Sequence, residues 1–283
     1  MTLAERLSRA RVDLVAAGVA DAEAAIDVDL YAREILGWDR ARLLSEQREE
    51  MPARLEPLFS EWIARRCRHE PTAYIVGHRE FWNLPFTVSP AVLIPRPETE
   101  LIVEEVLIRL KGTRAPRIAD IGTGSGCLAV SIAHEITDAT VVATDISAAA
   151  VEVARTNARL NGVDSRVSFV CTSYLDGVAG PFDAITCNPP YVRGRDRDAL
   201  GKGVRHEPDV ALFGGMDGLR DIAGVLRTAV DALKPGGWFL MEFGYGQEDD
   251  VRRLSQAVAG LQLSSVKADL QGISRTAVFR RTE

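Results

Sequence analysis

The sequence predicts an α/β protein: a doubly wound, Rossmann-like, mostly parallel sheet, with a small helical bundle ahead of it and a β-hairpin between the two. Three observations carry this. From about residue 118 onward, short apolar and β-branched runs alternate with longer helical stretches, the pattern of strand–helix–strand units. The first of those runs ends in three glycines at alternate positions, a turn suited to close approach by a ligand. Residues 1–76, by contrast, carry their apolar residues at roughly helical spacing.

In the first region Leu3, Leu7, Val12 and Val15, then Ala24, Ile26, Val28, Leu30, Ile35 and Leu36, are expected to face inward. Gly18 and Gly37 stand where the helices would end. Pro52 leads into a further helix whose apolar stripe would be Leu55, Leu58, Phe59, Trp62 and Ile63. Residues 77–97 then change character. Aromatic and β-branched residues with Asn83 and Pro85 as turn formers suggest a hairpin. Pro90, Pro95 and Pro97 stiffen a connector into a helix that begins near Glu98.

Residues 98–283 are expected to form the sheet domain. Five strands fit 118–121, 140–144, 167–171, 182–187 and 237–243, with helices such as 148–160 and 218–233 between most of them. Runs at 262–268 and 275–279 make seven strands, the last two joined as a closing hairpin.

Composition narrows the function. With 46% hydrophobic and 26% charged residues the chain is an ordinary globular protein. No apolar run is long enough to cross a bilayer and the charged N-terminus is no secretory signal, so a cytoplasmic protein is expected. The four cysteines and four histidines are scattered, so no metal site and no Cys/His nucleophile is expected. A net charge of −6 argues against a protein whose main task is gripping nucleic-acid phosphate.

The glycine loop is the segment Gly122, Thr123, Gly124, Ser125 and Gly126, and the helix after it offers free backbone amides. It fails the dinucleotide fingerprint, because the third glycine of that pattern would fall on Cys127. Asp145 ends the second strand, where a carboxylate can accept both hydroxyls of a ribose; the alternative is a cap for the next helix, a job open to Ser147 as well. Tyr174 follows the third strand, either as a face for adenine or as a surface tyrosine.

The fourth strand runs into Asn188-Pro189-Pro190-Tyr191. Two prolines stop ladder pairing and fix the backbone at the carboxyl edge of the sheet, where open α/β sheets bind ligands. Asn188 offers an acceptor oxygen and the prolines offer carbonyls only. Such acceptors suit an incoming NH₂ group, whose nitrogen they would orient and make more nucleophilic. Tyr191 would stack on a planar amide and tolerate the sulfonium of S-adenosylmethionine; methyl transfer would release S-adenosylhomocysteine. Asn188 thus belongs to both the catalytic and the cofactor-binding sets.

From about Glu70 onward the chain resembles the protein-(glutamine-N5) methyltransferases of class I peptide chain release factors, the PrmC or HemK family. The segments EPTAYIVGHREFW, VLIPRPETE, DIGTGSG, NPPY, HEPDVALFGGMDGL, EFGYGQ and DLQGISR carry the resemblance. It implies methylation of the glutamine in the Gly-Gly-Gln loop of a release factor. By position it assigns the methionine part of the cofactor to Gly122–Gly126, ribose to Asp145, adenine to Tyr174 and the glutamine amide to Asn188–Tyr191; residues 1–76 are expected to dock the folded substrate, which needs more contact area than one side chain supplies. One departure is Ser173, where members often carry an acid. Competing readings are a glutamine methyltransferase of a ribosomal protein, a DNA adenine or cytosine amino-methyltransferase, and a non-catalytic cofactor sensor. Glu207 lies in a long stretch after NPPY that reads as a substrate-facing lid.

Overall fold

The computed structural model describes residues 1–282, which form two compact units. One is Met1–Gly77 with Gly201–His206; the other is His78–Leu200 with residues 207–282. No helix among the described residues is long and apolar enough to cross a membrane.

The first unit holds α1 (Leu3–Ala16), α2 (Asp21–Leu36), α3 (Arg40–Ser45), α4 (Leu58–Cys67) and α5 (Thr72–Val76). Thr2 caps α1 in a capping box with Glu5, and Gly37 ends α2 in the left-handed conformation (φ +61°). The buried stripe of α1 is Leu3, Leu7, Ala10 and Leu14, at i, i+4, i+7 and i+11. Val12 and Val15, expected inside, are exposed, as is Ile26 of α2. The stripe chose small Ala10 and Ala24 because they stand at the right angle, not because of their hydrophobicity. Leu58 is also exposed, for it opens α4 after a short 3-10 turn at Ala53–Leu55 that buries Leu55. A buried ion pair joins α4 to α2, Arg66 Nε to Asp27 Oδ2 at 2.7 Å, and the neighbouring Arg65 pairs with Glu70 at 2.6 Å. The short segment Gly201–His206 belongs here too: Lys202 Nζ lies 3.1 Å from His69 Nε2.

The second unit opens with the hairpin β1 (His78–Phe81) and β2 (Leu84–Thr87). Its turn is Trp82-Asn83, both at positive φ, and Pro85 sits inside β2 rather than in the turn. Beyond it come α6 (Glu100–Arg109), β3 (Arg117–Ile121), α7 (Cys127–Glu135), β4 (Thr140–Asp145), α8 (Ala148–Leu160), β5 (Val167–Cys171) and β6 (Phe182–Cys187). Next are α9 (Asp209–Leu212), α10 (Arg220–Ala232), β7 (Leu233–Glu242), α11 (Glu248–Gln256), β8 (Leu261–Ala268) and β9 (Ser274–Arg281). β7 starts earlier than its apolar run suggests and shifts register beside Phe182, which accommodates Pro235.

The seven-stranded sheet has the order β5-β4-β3-β6-β7-β9-β8, parallel from β5 to β7, with β9 antiparallel to both of its neighbours. β3 and β6 are buried on both faces, which explains their unbroken apolar runs. The chain moves outward from β3 in one direction and restarts at β6 in the other. The crevice at the carboxyl ends of β3 and β6 is therefore the switch point at which such sheets bind ligands.

Candidate active site

β3 ends at Ile121 and the chain turns through Gly122 (φ +70°) and Gly124 (φ +56°) to Gly126 (φ +83°), the N-cap of α7. A Cβ on Gly126 would come within 3.1 Å of Ala154 of α8, so this glycine allows the helix to pack closely. The loop is pinned by Thr123, whose amide donates to the Thr144 carbonyl (2.9 Å) and whose hydroxyl donates to Asp120 Oδ2 (2.6 Å). Asp120 also accepts from Thr186 of β6 at 2.8 Å, and burial pushes its carboxyl up to about 6.

Asp145 accepts from the Gly124 amide on one oxygen and the Ser147 amide on the other, both at 2.9 Å. The cap of α8 is Ser147, whose hydroxyl accepts from the Ala150 amide. Each Asp145 oxygen keeps a free lone pair, so the carboxylate can still receive two adjacent hydroxyls. Burial raises its pKa despite the amides that favour its charge.

Tyr174, at φ +46°, donates its hydroxyl to Asp221 Oδ1 of α10 (2.9 Å). Its ring lies over Gly224, where a Cβ would come within 2.5 Å of the phenolic oxygen. Burial, and next the Asp221 carboxylate, push the phenol up to about 12.

At the end of β6, Asn188 Nδ2 donates to Thr99 Oγ1 at 3.1 Å. The Thr99 hydroxyl donates to Glu242 Oε2 at 2.6 Å, and the Tyr191 hydroxyl donates to Glu242 Oε1 at 2.9 Å. Burial raises the Glu242 pKa against the two hydroxyl bonds, and burial with the facing carboxylate raises that of Tyr191. The NPPY segment is braced from outside. A Cβ on Gly214 would lie 2.3 Å from the Pro190 carbonyl oxygen, and Gln247 Nε2 donates to the Tyr191 carbonyl at 3.1 Å.

These groups surround one cavity of about 340 Å³, lined by Gly122, Thr123, Gly124, Ser125, Asp145, Tyr174, Asn188, Pro189 and Pro190 among others. Two residues named from the sequence do not line it. Gly126 stands behind the loop as a helix cap, and Tyr191 has its ring against Gly244 and its hydroxyl on Glu242. The Pro190 carbonyl is directed at Gly214, so it is not among the acceptors open to a substrate. Glu207 does not face outward as a lid residue would. It is buried, accepting from the Ile94 amide (3.1 Å) and Arg96 Nη2 (2.5 Å), and fastens the proline-rich connector beside the cavity. Cys127 and Cys187 also line the cavity, but burial pushes both thiols up, Cys127 to about 12, so neither is a ready thiolate.

Sequence reasoning passed over Thr99, Glu242, Asp120 and Asp221. Thr99, Asp120 and Glu242 fall inside segments that carry the family resemblance, which was the available signal; Asp221 does not.

An open sheet of this order, with a glycine loop and a terminal acid on adjacent strands and NPPY across the switch point, defines a methyltransferase of the S-adenosylmethionine-dependent fold. Residues 98–206 match the methyltransferase small domain, and residues 5–77 match the PrmC N-terminal domain. A solved methyltransferase from Pyrococcus furiosus superimposes with a TM-score of 0.54 at 20% identity, over 71% of this chain and 90% of that one. The release factor glutamine methyltransferase of Bradyrhizobium diazoefficiens is 39% identical over 99% of this chain and 93% of its own length. That of Moorella thermoacetica is 40% identical over the whole of both chains. The chain belongs to the release factor glutamine methyltransferase family, and its activity is that of a protein glutamine methyltransferase.

Proposed function

We propose that the enzyme methylates the side-chain nitrogen N5 of the glutamine in the Gly-Gly-Gln motif of class I release factors, with S-adenosylmethionine as methyl donor. The observation that carries this is the convergence of Asp145, the glycine loop and Asn188-Pro189-Pro190 on one cavity. The cavity fits the cofactor chemically: Asp145 retains lone pairs for two ribose hydroxyls, and the loop turns at glycines whose missing side chains leave open space. When bound there, the cofactor supplies an electrophilic methyl group. Gly122–Ser125 would lie along its methionine part, with Gly126 capping α7 behind them, Asp145 would hold its ribose and Tyr174 would border its adenine.

Asn188 does the work on the substrate side. Its oxygen accepts an N–H of the incoming amide, which holds the nitrogen in line and draws it from the plane that delocalises its lone pair. Tyr191 serves from behind, as the partner of Glu242 rather than as a stacking face. Residues 1–76 act as the docking domain, because a folded protein substrate needs more contact area than one side chain gives. The reaction then belongs to the cytoplasm, and no nucleic-acid partner is required.

The test is methyl transfer from labelled S-adenosylmethionine to a purified class I release factor, beside a factor with its loop glutamine changed to alanine and an Asn188→Ala enzyme. Label confined to the intact pair is expected, with a loss of about 10²-fold in kcat for Asn188→Ala. An unlabelled release factor, with a ribosomal protein labelled in the parallel assay, would refute the substrate.

A further inference from the structure

We infer that Thr99 and Glu242 are positioning residues that set which end of the Asn188 amide faces the cavity, so that the site accepts an NH₂ group and rejects a carbonyl or carboxylate. The inference deepens the proposed function, in which Asn188 receives the glutamine amide.

The number of protons available fixes the polarity of this cluster. Glu242 and Thr99 are both 2% exposed, so neither can borrow a partner from solvent. Both oxygens of the Glu242 carboxylate act as acceptors, from the Thr99 hydroxyl at 2.6 Å and the Tyr191 hydroxyl at 2.9 Å. Each hydroxyl owns one proton and each must direct it at Glu242. Thr99 then has only lone pairs left for its other neighbour, the Asn188 side chain at 3.1 Å. That neighbour must be the NH₂ end. Turning the amide over would set two acceptors against each other, at a loss of roughly 10- to 100-fold in population, the equivalent of one unmade buried hydrogen bond. The carbonyl end is left to the cavity that Asn188 lines. The four residues come from separate places: Thr99 from the connector, Asn188 from the end of β6, Tyr191 from the loop after it and Glu242 from the end of β7.

Protonation of Glu242 breaks the count. The carboxyl then owns a proton, one hydroxyl is released to donate elsewhere, and the Asn188 amide loses its fixed polarity. The groups that bear on this titration are Thr99 and Tyr191 by hydrogen bonds, with Glu98 raising and Arg275 lowering the pKa.

The experiment has a kinetic arm and a substrate-free arm. Thr99→Val keeps the shape and removes the hydroxyl; it should lower the melting temperature, since Glu242 and Asn188 each lose a buried partner, and lower kcat about 10²-fold while cofactor affinity holds and the KM for the release factor moves by less than about threefold. Thr99→Ser should recover most of kcat. Glu242→Gln, whose NH₂ replaces an acceptor of one of the two hydroxyls, should lower kcat. A Thr99→Val enzyme within about threefold of the parent kcat, or a serine variant no better than valine, overturns the inference. Independently, NMR of the unsubstituted protein should show the Asn188 side-chain amide protons protected from solvent exchange, with one hydrogen-bonded to the threonine oxygen. Rapid exchange of both would overturn it as well. Should the parent enzyme leave the release factor unlabelled, the substrate assignment falls and the NMR arm alone decides the positioning.

Discussion

Asn157 gives the sharpest test of how the site is held, because its magnitude follows from three hydrogen bonds. The side chain is fully buried on α8. Its Oδ1 accepts from the Thr87 amide at 2.7 Å, and its Nδ2 donates to the Thr87 carbonyl at 2.9 Å and the Ser125 carbonyl at 2.8 Å. One residue thus ties the end of the β1–β2 hairpin to the glycine loop. Asn157→Leu keeps the branched shape, so cavity formation is a minor effect, but it takes a partner from the Thr87 amide and from two carbonyls. At about 1–3 kcal/mol for a group left without a partner, and less for carbonyls that keep a second lone pair, the loss should be about 2–3 kcal/mol. That is a large fraction of the roughly 5–15 kcal/mol of a typical domain. Urea unfolding by circular dichroism measures the loss, and amide exchange at Thr87 locates it. A change below about 1 kcal/mol, with Thr87 still protected, would refute the reasoning.

Three further outcomes follow from the same geometry. Asp145→Ala should weaken S-adenosylmethionine by roughly 10²- to 10⁴-fold in calorimetry, since two hydrogen bonds to a charged group are lost; unchanged affinity would remove Asp145 from the cofactor site. Gly224→Ala should gain up to about 1 kcal/mol of helix propensity yet displace Tyr174, because the new Cβ would lie 2.5 Å from its hydroxyl oxygen; cofactor affinity should fall even where stability holds, and a wild-type Kd would show that Tyr174 does not border the ligand. Asp120 should make stability pH-dependent. Its folded pKa of about 6 exceeds the unfolded value of about 4, so its contribution is full below the unfolded value and is lost as pH rises through about 6. The loss is about 3 kcal/mol between about pH 4 and pH 8, and Asp120→Asn should remove it; parallel stability curves for the two proteins would count against that assignment.

Much of the site could be read along the chain because its parts are contiguous. Gly122–Gly126 is a turn that only glycines make, and Asn188-Pro189-Pro190 is a backbone that only prolines fix; both state their constraint locally. The strands were legible for a related reason, since burial on both faces leaves an unbroken apolar run. Helix faces were less legible. Val12 and Ile26 are more apolar than Ala10 and Ala24, yet angle around the axis decides which of them is buried.

The sequence by itself determined the class of the sheet, the glycine loop, the acid after β4 and the motif after β6, because each is imposed by neighbouring residues. Only the tertiary structure decided the partners of those groups. Thr99 meets Glu242 across 143 residues and Asn188 across 89, because strand order places the ends of β6 and β7 side by side with the connector. The same packing turned Glu207 inward onto Arg96 and drew Tyr191 back onto Glu242. A hydroxyl or carboxylate in a sequence carries no mark of what it will face; its role is fixed by which distant segment the fold brings within three ångströms.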